Sequence, residues 1–535
     1  MRKPLLALAL TVVLGLIPAA INSQGVDKAM LLKPPPDSWP MYNGDYTGRR
    51  FSSLKVINDA NVQNLSLDYM AQIVGTGGRG GTIRVAGTPL LVNGVFYFTA
   101  TDNAWAVDAR TGRTLWHFYR QSTGEEPATS NRGFAILGHW LYYMSRDNFL
   151  ISLDAETGKM RWAQPVADPK QFYFSTVPPM IVGDHVLVGT GGDSLDLSGF
   201  LQSRDPETGE IQWTTYSTPR KGEDGINTWP DDYASTHGGG GPWIPGTYDP
   251  ELNLYFYGTG NANPVYASQS RTGDDLFTCT IVAINPDTGK RVWYFQASPH
   301  DTHDWDAVQT PVLIDGTIDG KPRKLLAQAS RNGYFFVLDR TTGKSVVTVP
   351  FIDTLNWSKG VRPNGSPDPN PEKYPSLGGV IVSPSSGGAT NWPPPSFSPQ
   401  TGLFYVGSGE GYSIFYVSDT DDHPEGYGGK EAGAGSGGPG TLRAIDYKTG
   451  KQIWKHEWPG GGGAAGMLTT AGNLLFTANG TNLIAFNAAN GKILWHAGLL
   501  SGANAPITYM LDGKQHVTVV AGDVLYSFVL NEPSK

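Results

Sequence analysis

The sequence contains a single cysteine, and its share of charged residues is low. Because Cys279 is the only cysteine among 535 residues, no disulfide can form within the chain. The Cys-x-x-Cys-His motif that attaches a c-type haem is also missing. Charged residues make up 16% of the chain, and the formal net charge is -8. A nucleic-acid-binding protein needs a basic surface, so we expect no such partner.

Long hydrophobic runs are absent beyond the first residues of the chain. Arg2 and Lys3 precede an apolar stretch at 5–17, and the small-residue stretch Pro18-Ala19-Ala20 follows it. This order is typical of a secretory signal peptide, which we predict over residues 1–23. An uncleaved anchor is the alternative, but the apolar run is shorter than a membrane span requires. We therefore expect export, with residues 24–535 forming a single domain without a membrane span.

The sequence is rich in glycine and aromatic residues, and one short motif recurs along it. In AVDARTGRTLW (106–116), an Asp-x-x-Thr-Gly turn follows a strand-like segment, and a second such segment ends in Trp116. Glycine tolerates the positive φ of a tight turn, and the Asp side chain can accept bonds from nearby amides. We expect each copy to be two strands joined by a turn, with the aromatic residue docking between neighbouring units. The leading Asp or Asn of the seven copies stands at positions 108, 154, 205, 285, 339, 446 and 487.

The spacing of this motif predicts one repeating fold. Alternating segments such as PLLVNGVFYFTA (89–100) lie between the copies and are typical of strands. Several short strands per unit predict an all-β protein, an eight-bladed β-propeller whose last unit is closed by the two chain ends. The gap of 107 residues from Asp339 to Asp446 predicts one unit with a worn motif near 350–410, and the wide gap before Asn285 indicates an insertion at 218–245. A β-helix or a string of sandwiches is the alternative.

The stretch PHDTHDWD (299–306) places three aspartates and two histidines in eight positions. A solvated acidic turn is one interpretation, since charge runs usually face water. In an extended segment Asp304 and Asp306 would face the same side and Trp305 the other. Two carboxylates and an amide oxygen would then suit a hard cation. Zinc bound through His300 and His303 is a competing interpretation.

The repeat, together with WPMYNGDYTGRRFS (39–52), resembles the eight-bladed pyrroloquinoline quinone (PQQ) dehydrogenases. These are periplasmic quinoproteins that oxidise primary alcohols, and the resemblance runs from about residue 39 to 530. It implies a periplasmic location, PQQ with Ca²⁺ or a lanthanide ion, and a separate c-type cytochrome as electron acceptor. Non-catalytic propellers share the repeat, so activity has to be argued from the site.

The resemblance assigns five residues to the cofactor. Trp243, in GGGGPW (238–243), matches the tryptophan against which the quinone lies. Arg132 and Arg331 match arginines that contact the cofactor, and guanidinium groups suit a ligand that carries carboxylates. Asn391 and Trp392 match a further polar contact.

The resemblance also implies a metal site and a base. Asn261 matches the amide ligand of the metal, Asp304 matches the general base, and Asp306 matches the extra carboxylate of lanthanide-dependent members. The metal would polarise the quinone carbonyl, and Asp304 would accept the alcohol proton while hydride passes to the quinone. A glutamate that binds the metal in the family aligns with Ser194. The adjacent Asp193 is the candidate replacement, and Asp196 is the alternative.

Further departures from the family pattern weaken the expected PQQ and metal binding. Ala86 stands where the family has a cofactor-contacting glutamate, and a stacking tryptophan is replaced near Ala464. GEEPATS (124–130) stands where alcohol-oxidising members have a vicinal disulfide. Two alternatives to the enzyme therefore remain: a quinoprotein-like propeller that has lost PQQ and binds another ligand, and a pure scaffold propeller.

Overall fold

The structure, a computed structural model, describes residues 25–76, 84–121, 130–171, 173–191, 196–436, 438–458 and 463–531. The predicted signal peptide lies outside these residues. The described helices are short, and neither α-helix has the length or the apolar character of a membrane span. They are α1 (Lys28–Leu32), α2 (Asp232–Thr236) and 3₁₀ turns at Val62–Asn64, Pro169–Gln171, Ile226–Thr228, Ser268–Ser270 and Pro371–Lys373.

Most of the remaining described chain is organised in eight sheets of at least four strands, which are the blades of the predicted propeller and are antiparallel apart from one added edge strand. The predicted fold class is therefore confirmed. Two early strands, β1 (Phe51–Ser52) and β2 (Leu65–Gln72), join blades that form late in the chain. Blade 1 consists of β3 (Leu90–Val92), β4 (Val95–Ala100), β5 (Asn103–Asp108) and β6 (Thr114–Tyr119). Blade 2 consists of β7 (Ala135–Leu137), β8 (Trp140–Met144), β9 (Phe149–Asp154) and β10 (Met160–Pro165).

Blades 3 to 5 follow the same consecutive order. Blade 3 consists of β11 (Met180–Val182), β12 (His185–Gly189), β13 (Phe200–Arg204) and β14 (Ile211–Tyr216). Blade 4 consists of β15 (Thr247–Asp249), β16 (Leu254–Gly258), β17 (Thr280–Ile284) and β18 (Arg291–Gln296). Blade 5 consists of β19 (Val312–Ile318), β20 (Lys321–Ala329), β21 (Tyr334–Asp339) and β22 (Ser345–Pro350). The predicted insertion at 218–245 lies between blades 3 and 4 and contains α2.

The long gap after Asp339 holds inserted strands and one blade, so the predicted unit with a worn motif is wrong. The inserted strands are β23 (Ser358–Val361), β24 (Pro367–Pro369), β25 (Val380–Val382), β28 (Gly411–Val417) and β29 (Gly429–Ser436). Blade 6 consists of β26 (Ser396–Ser398), β27 (Leu403–Ser408), β30 (Gly440–Asp446) and β31 (Gln452–Trp458). We call β25, β28 and β29, which pair with one another outside the blades, the inserted sheet.

The two chain ends close the ring, as the repeat analysis predicts. Blade 7 consists of β32 (Leu468–Thr470), β33 (Leu474–Asn479), β34 (Asn482–Asn487) and β35 (Ile493–Gly498), with β1 added in parallel to β32. Blade 8 consists of β36 (Ile507–Leu511), β37 (Lys514–Ala521) and β38 (Val524–Leu530), with β2 as its fourth strand. Strand β2 pairs antiparallel with β38 from Leu65 opposite Leu530 to Gln72 opposite Val524.

The motif tryptophans dock between neighbouring blades, as predicted. In blade 3 the indole N–H of Trp213 donates to the carbonyl of Pro286 in blade 4, at 2.7 Å. A side chain on the motif glycine of blade 4, Gly289, would meet the Trp213 ring at 2.7 Å. The same contact recurs from Trp116, Trp162, Trp293, Trp454 and Trp495 to the following blade.

Two junctions of the ring use other residues. Blade 5 has Val347 where the motif has tryptophan, and Val347 with Val349 faces Gly450 of blade 6. Between blades 8 and 1, the Tyr69 hydroxyl donates to the carbonyl of Ala109 at 2.7 Å. The described contacts therefore run around the complete ring of eight blades.

Candidate active site

The described residues predicted for the site lie in connections at one end of the ring. In an antiparallel four-stranded blade, the link between the second and third strands and the link to the next blade leave from the same end. Asn261 and Arg331 lie in links of the first kind, in blades 4 and 5. The other predicted site residues lie in links between blades: Arg132, Trp243, Asp304, Asp306, Asn391 and Trp392. The motif turns join third and fourth strands and so lie at the opposite end.

Arg331 joins the two aspartates of the acidic stretch. Its Nη2 donates to Asp304 Oδ2 at 3.0 Å, and its Nη1 donates to Asp306 Oδ2. The two carboxylates differ in access, because the Asp304 side chain is 19% exposed and the Asp306 side chain only 1%. Solvent can therefore reach Asp304, whereas Asp306 is enclosed by protein.

Asn261 lies against the enclosed carboxylate. Its backbone N–H donates to Asp306 Oδ1 at 2.6 Å, and the indole N–H of Trp243 donates to Asp306 Oδ2 at 3.1 Å. Burial raises the pKa of Asp306, and the Arg331 guanidinium opposes that shift. The side-chain oxygen of Asn261 is buried and has no hydrogen-bond partner among the described residues. Asn261 is thus a backbone neighbour of the carboxylate pair that Arg331 joins, and it carries a buried amide oxygen without a partner among the described residues.

A tight turn, not an extended segment, brings these carboxylates together. The Asp301 carboxylate accepts the N–H groups of Trp305 at 3.0 Å and His303 at 3.4 Å, which closes the turn. Asp304 has a left-handed backbone with φ of 69°, so the predicted extended conformation is wrong. Trp305 is buried, and its indole N–H donates to the carbonyl of Ser385 at 2.9 Å. Asp304 and Asp306 nevertheless face the same guanidinium, and the solvated-turn interpretation is wrong as well.

The histidines of the stretch serve the local packing. His303 is buried, stacks on Trp305 with ring centroids 4.3 Å apart, and its Nε2 contacts the Lys373 carbonyl at 2.9 Å. Burial lowers the pKa of His303 to about 3. His300 instead contacts the Gly273 carbonyl through Nδ1. Because the two rings bond to carbonyls of different segments, the structure gives no support to zinc bound between them.

Arg132 lies between two tryptophans. Its guanidinium carbon is 5.0 Å from the Trp243 ring centroid and 5.4 Å from that of Trp392. One weak bond, 3.4 Å long, joins Nη1 to the Thr176 carbonyl, and Nε has no partner among the described residues. The residue is 8% exposed, and burial lowers its pKa. A desolvated cation between two indoles is a suitable place for a flat anionic ligand.

Asn391 is largely engaged by its own loop. Its Nδ2 donates to the Gly387 carbonyl at 2.9 Å, and its Oδ1 accepts the N–H of Trp392 at 2.8 Å. Trp392 therefore has the closer connection to the other predicted residues, through its contact with Arg132.

Some of the predicted departures lie outside the described residues. Asp193 and Ser194 fall in 192–195, and most of the stretch that replaces the vicinal disulfide falls in 122–129. Asp196 is described, and its carboxylate accepts the Gly426 N–H at 2.9 Å. Ala464 is 7% exposed and packs in a hydrophobic cluster with Tyr405 and Leu442.

The sequence analysis did not identify the segment around residues 386–389, which contacts the Nε and the backbone carbonyl of Arg331. The Ser386 carbonyl accepts Arg331 Nε at 2.8 Å, and the Arg331 carbonyl accepts the Ala389 N–H at 2.8 Å. Ser386 is bonded in turn to Glu431 on β29. No motif marks these residues: Ser386 and Ala389 fall in the stretch near 350–410 that the spacing predicts as a worn repeat, and Glu431 lies beyond it.

The residues present fit both groups that the resemblance implies. The buried, unpartnered oxygen of Asn261 beside two carboxylates is an oxygen donor set for a hard cation. No three described His, Cys, Asp or Glu side chains form a metal-binding cluster, so a site built from the described residues would need a further kind of oxygen donor beside the two carboxylates. Arg132 between Trp243 and Trp392 fits a flat ligand with carboxylates.

The chain resembles known proteins over almost its whole length. The family model "Glucose/ethanol/alcohol dehydrogenase, beta-propeller domain" matches residues 39–352, and that of "Outer membrane protein assembly factor BamB" matches 438–529. Quinoprotein alcohol dehydrogenase PedH of Pseudomonas putida is 35% identical over 97% of this chain and 92% of its own.

Two solved structures have the same fold. Quinohemoprotein alcohol dehydrogenase ADHIIG of Pseudomonas putida HK5 has a TM-score of 0.86 and 31% identity, covering 96% of this chain and 83% of its own. A europium-containing methanol dehydrogenase has a TM-score of 0.85 and 29% identity, covering 93% of this chain and 99% of its own. The first family model covers more than half of the chain, and it includes Trp243, Asn261, Asp304 and Arg331. The protein therefore belongs to the PQQ-dependent quinoprotein alcohol dehydrogenase family.

Proposed function

We propose that the protein is a periplasmic dehydrogenase that oxidises a primary alcohol, using PQQ and a Ca²⁺ or lanthanide ion. The observation that carries this proposal is the convergence of Asp304, Asp306 and Asn261 beside Arg331. An exposed carboxylate next to an enclosed one, with a free amide oxygen, suits a base beside a cation site. A scaffold protein has no need for such a costly buried arrangement.

Different residues of the chain would bind the cofactor and the metal ion. Trp243 presents its ring on one side of Arg132, and that guanidinium would pair with the cofactor's carboxylates. Asn261, Asp306 and Asp304 would hold the metal ion, with Asp193 as a further candidate ligand. Arg331 would contact the cofactor while it holds both aspartates in place. Bound PQQ supplies a carbonyl that accepts hydride, and the metal ion supplies Lewis acidity.

Asp304 is the candidate base because it is the accessible member of the pair. Its Oδ2 is held by Arg331 at 3.0 Å, and its side chain remains 19% exposed. The carboxylate would accept the alcohol proton while the carbon-bound hydrogen leaves as hydride. Asp306 cannot take this role, because its oxygens already accept bonds from Asn261, Trp243 and Arg331.

Charge and the names of the relatives support the proposed metal and electron acceptor. Two carboxylates attract a trivalent ion more strongly than Ca²⁺, and a europium-containing methanol dehydrogenase is among the similar structures. The ADHIIG relative is called a quinohemoprotein, whereas this chain lacks the Cys-x-x-Cys-His motif. A haem acceptor would therefore lie on a separate c-type cytochrome. The predicted signal peptide supports a periplasmic location.

Reconstitution tests the proposal. The purified mature protein is loaded with PQQ plus either Ca²⁺ or a light lanthanide, and dye-linked oxidation of primary alcohols is measured. We expect turnover with at least one ion, and loss of turnover in Asp304→Asn by about 100-fold or more with PQQ still bound. Equal activity in Asp304→Asn would remove Asp304 as the base. Absence of bound quinone in the parent would favour a propeller that binds another ligand or acts as a scaffold.

A further inference from the structure

The inserted sheet reaches the candidate site through one carboxylate. Glu431 lies on β29, and its two oxygens accept the hydroxyl groups of Ser386 and Ser413. The Ser386 N–H also donates to Glu431 Oε1 at 3.2 Å. Both polar hydrogens of Ser386 are therefore directed to Glu431, which fixes the orientation of this residue and of its carbonyl.

The Ser386 carbonyl in turn holds the guanidinium of Arg331. Arg331 Nε donates to it at 2.8 Å, while Nη1 and Nη2 are directed to Asp306 and Asp304. A guanidinium is a planar fork, so its three nitrogens turn together. A shift of the carbonyl at Nε must therefore change the geometry at both carboxylates.

The segment around Ser386 is built close to the Arg331 side chain. Gly388 has φ of +81°, and a Cβ there would lie 2.1 Å from Arg331 Cγ. Trp305, between the two aspartates, donates its indole N–H to the Ser385 carbonyl at 2.9 Å. Residues 385–389 thus contact the arginine and the acidic stretch at the same time.

We propose that Glu431 is a positioning residue: through Ser386 it holds Arg331 in register with Asp304 and Asp306. The inserted sheet then has a task at the site, although it contributes no residue to the blades. The catalytic consequences of this inference rest on the proposed function, whereas the chain of contacts from Glu431 to Arg331 does not. Tyr266 marks the same neighbourhood, because burial and then the charges of Asp304 and Glu431 raise its pKa.

A double-mutant cycle tests whether Glu431 acts through Arg331. Glu431→Gln, Arg331→Met and the double variant are compared with the parent by PQQ affinity, kcat and KM. For Glu431→Gln we expect about tenfold lower kcat and about tenfold weaker PQQ binding, with little change in the KM for alcohol. In the Arg331→Met background the same substitution should change neither quantity. Additive effects would overturn the inference.

A matched control and a cofactor-free measurement complete the test. The matched control is Glu410→Gln. Glu410 lies beside the same inserted sheet, and its carboxylate accepts the N–H groups of Asp353 and Thr354 and pairs with Arg443. This substitution should lower stability, because it breaks a buried ion pair, but it should leave kcat and PQQ affinity unchanged. Glu431 and Arg331 are joined through Ser386, so the urea midpoints of the four cofactor-free proteins should be non-additive. Additive midpoints would contradict the inference even if the parent binds no PQQ, an outcome that would separately defeat the proposed function. If Glu431→Gln does not fold, Ser386→Ala replaces it in the cycle, with the same expectation.

Discussion

The buried guanidinium of Arg132 destabilises the folded protein but is suited to bind an anionic ligand. The described groups that interact with its guanidinium are two indole rings, one carbonyl at 3.4 Å and Tyr42, and burial lowers its pKa. A buried cation that is poorly compensated destabilises the folded state, yet the same lack of compensation leaves its donors ready for a carboxylate ligand. Stability and ligand binding therefore impose opposite demands on this residue.

Arg132→Met should separate these two effects. The substitution keeps an apolar stem between Trp243 and Trp392 but removes the desolvated charge. We expect the cofactor-free protein to gain about 1 kcal/mol in unfolding free energy and PQQ to bind about tenfold more weakly. Denaturant titration and fluorescence titration with PQQ measure the two quantities.

The control for Arg132→Met is an arginine that lies on an aromatic ring away from the site. Arg161 lies 4.2 Å from the Trp140 ring centroid and pairs with Glu207. Arg161→Met should give no gain in stability and leave PQQ binding unchanged. If Arg132→Met also gave no gain in unfolding free energy, the buried charge of Arg132 would be well compensated in the folded protein.

Single residues of the site could be named from the sequence, but their contacts could not. Asp304 and Asp306 stood out because acidic residues are sparse, and the resemblance supplied their candidate roles. The turn that joins them depends on Asp301, which looked equivalent to its neighbours in sequence. Glu431 and Ser386 have no recognisable pattern in the sequence, because their significance arises only when a strand far along the chain packs beside the segment that holds Arg331.

At the scale of the blade, the motif predicted the docking of its tryptophan between neighbouring blades as well as the fold. Each motif glycine has a positive φ, and it also leaves room for side chains of the preceding blade, which include an aromatic ring at every motif glycine except Gly450. The prediction failed where spacing alone was used. Residues between 351 and 436 include enough strands for a further unit. However, β26 and β27 belong to blade 6, and the other five strands pair outside the blades as the inserted sheet and a two-stranded ribbon.

Gly289→Ala tests the contribution of the blade junction. The new residue would have to adopt φ near +70°, and its methyl group would meet the Trp213 ring at 2.7 Å. We expect a loss of about 2–4 kcal/mol, or a clear drop in melting temperature, because backbone strain and displacement of the indole add together. The measurement is thermal and urea unfolding of the purified protein.

Gly320→Ala is the matched control for the junction. Gly320 has φ of +73°, and a methyl group there would have no described atom within 4 Å. Its substitution should cost about 1 kcal/mol from backbone strain alone. In a Trp213→Ala background, the cost of Gly289→Ala should fall to that of Gly320→Ala. Equal costs of the two glycine substitutions in the parent would mean that the indole contributes nothing to the junction.

At the scale of the whole molecule, the ring holds together distant parts of the chain. Asn261, Asp304 and Arg331 come from blades 4 and 5 and the link between them, whereas Arg132 comes from the link between blades 1 and 2. The relative positions of these groups depend on a closed ring, because an open one could splay at the junction of its first and last blades. Closure is therefore a requirement of the site as well as of the fold.

Removal of the last strand should open the ring. A chain that ends at Asp523 lacks β38, so β2 loses its strand partner and Trp495 loses its contact with Phe528, with ring centroids 5.3 Å apart. We expect no soluble protein with a cooperative melting transition, whereas a chain ending at Asn531 should match the parent. Phe528→Ala should weaken closure by about 3–5 kcal/mol without removing the strand. An unchanged melting temperature in the chain ending at Asp523 would show that seven blades are sufficient to hold the ring.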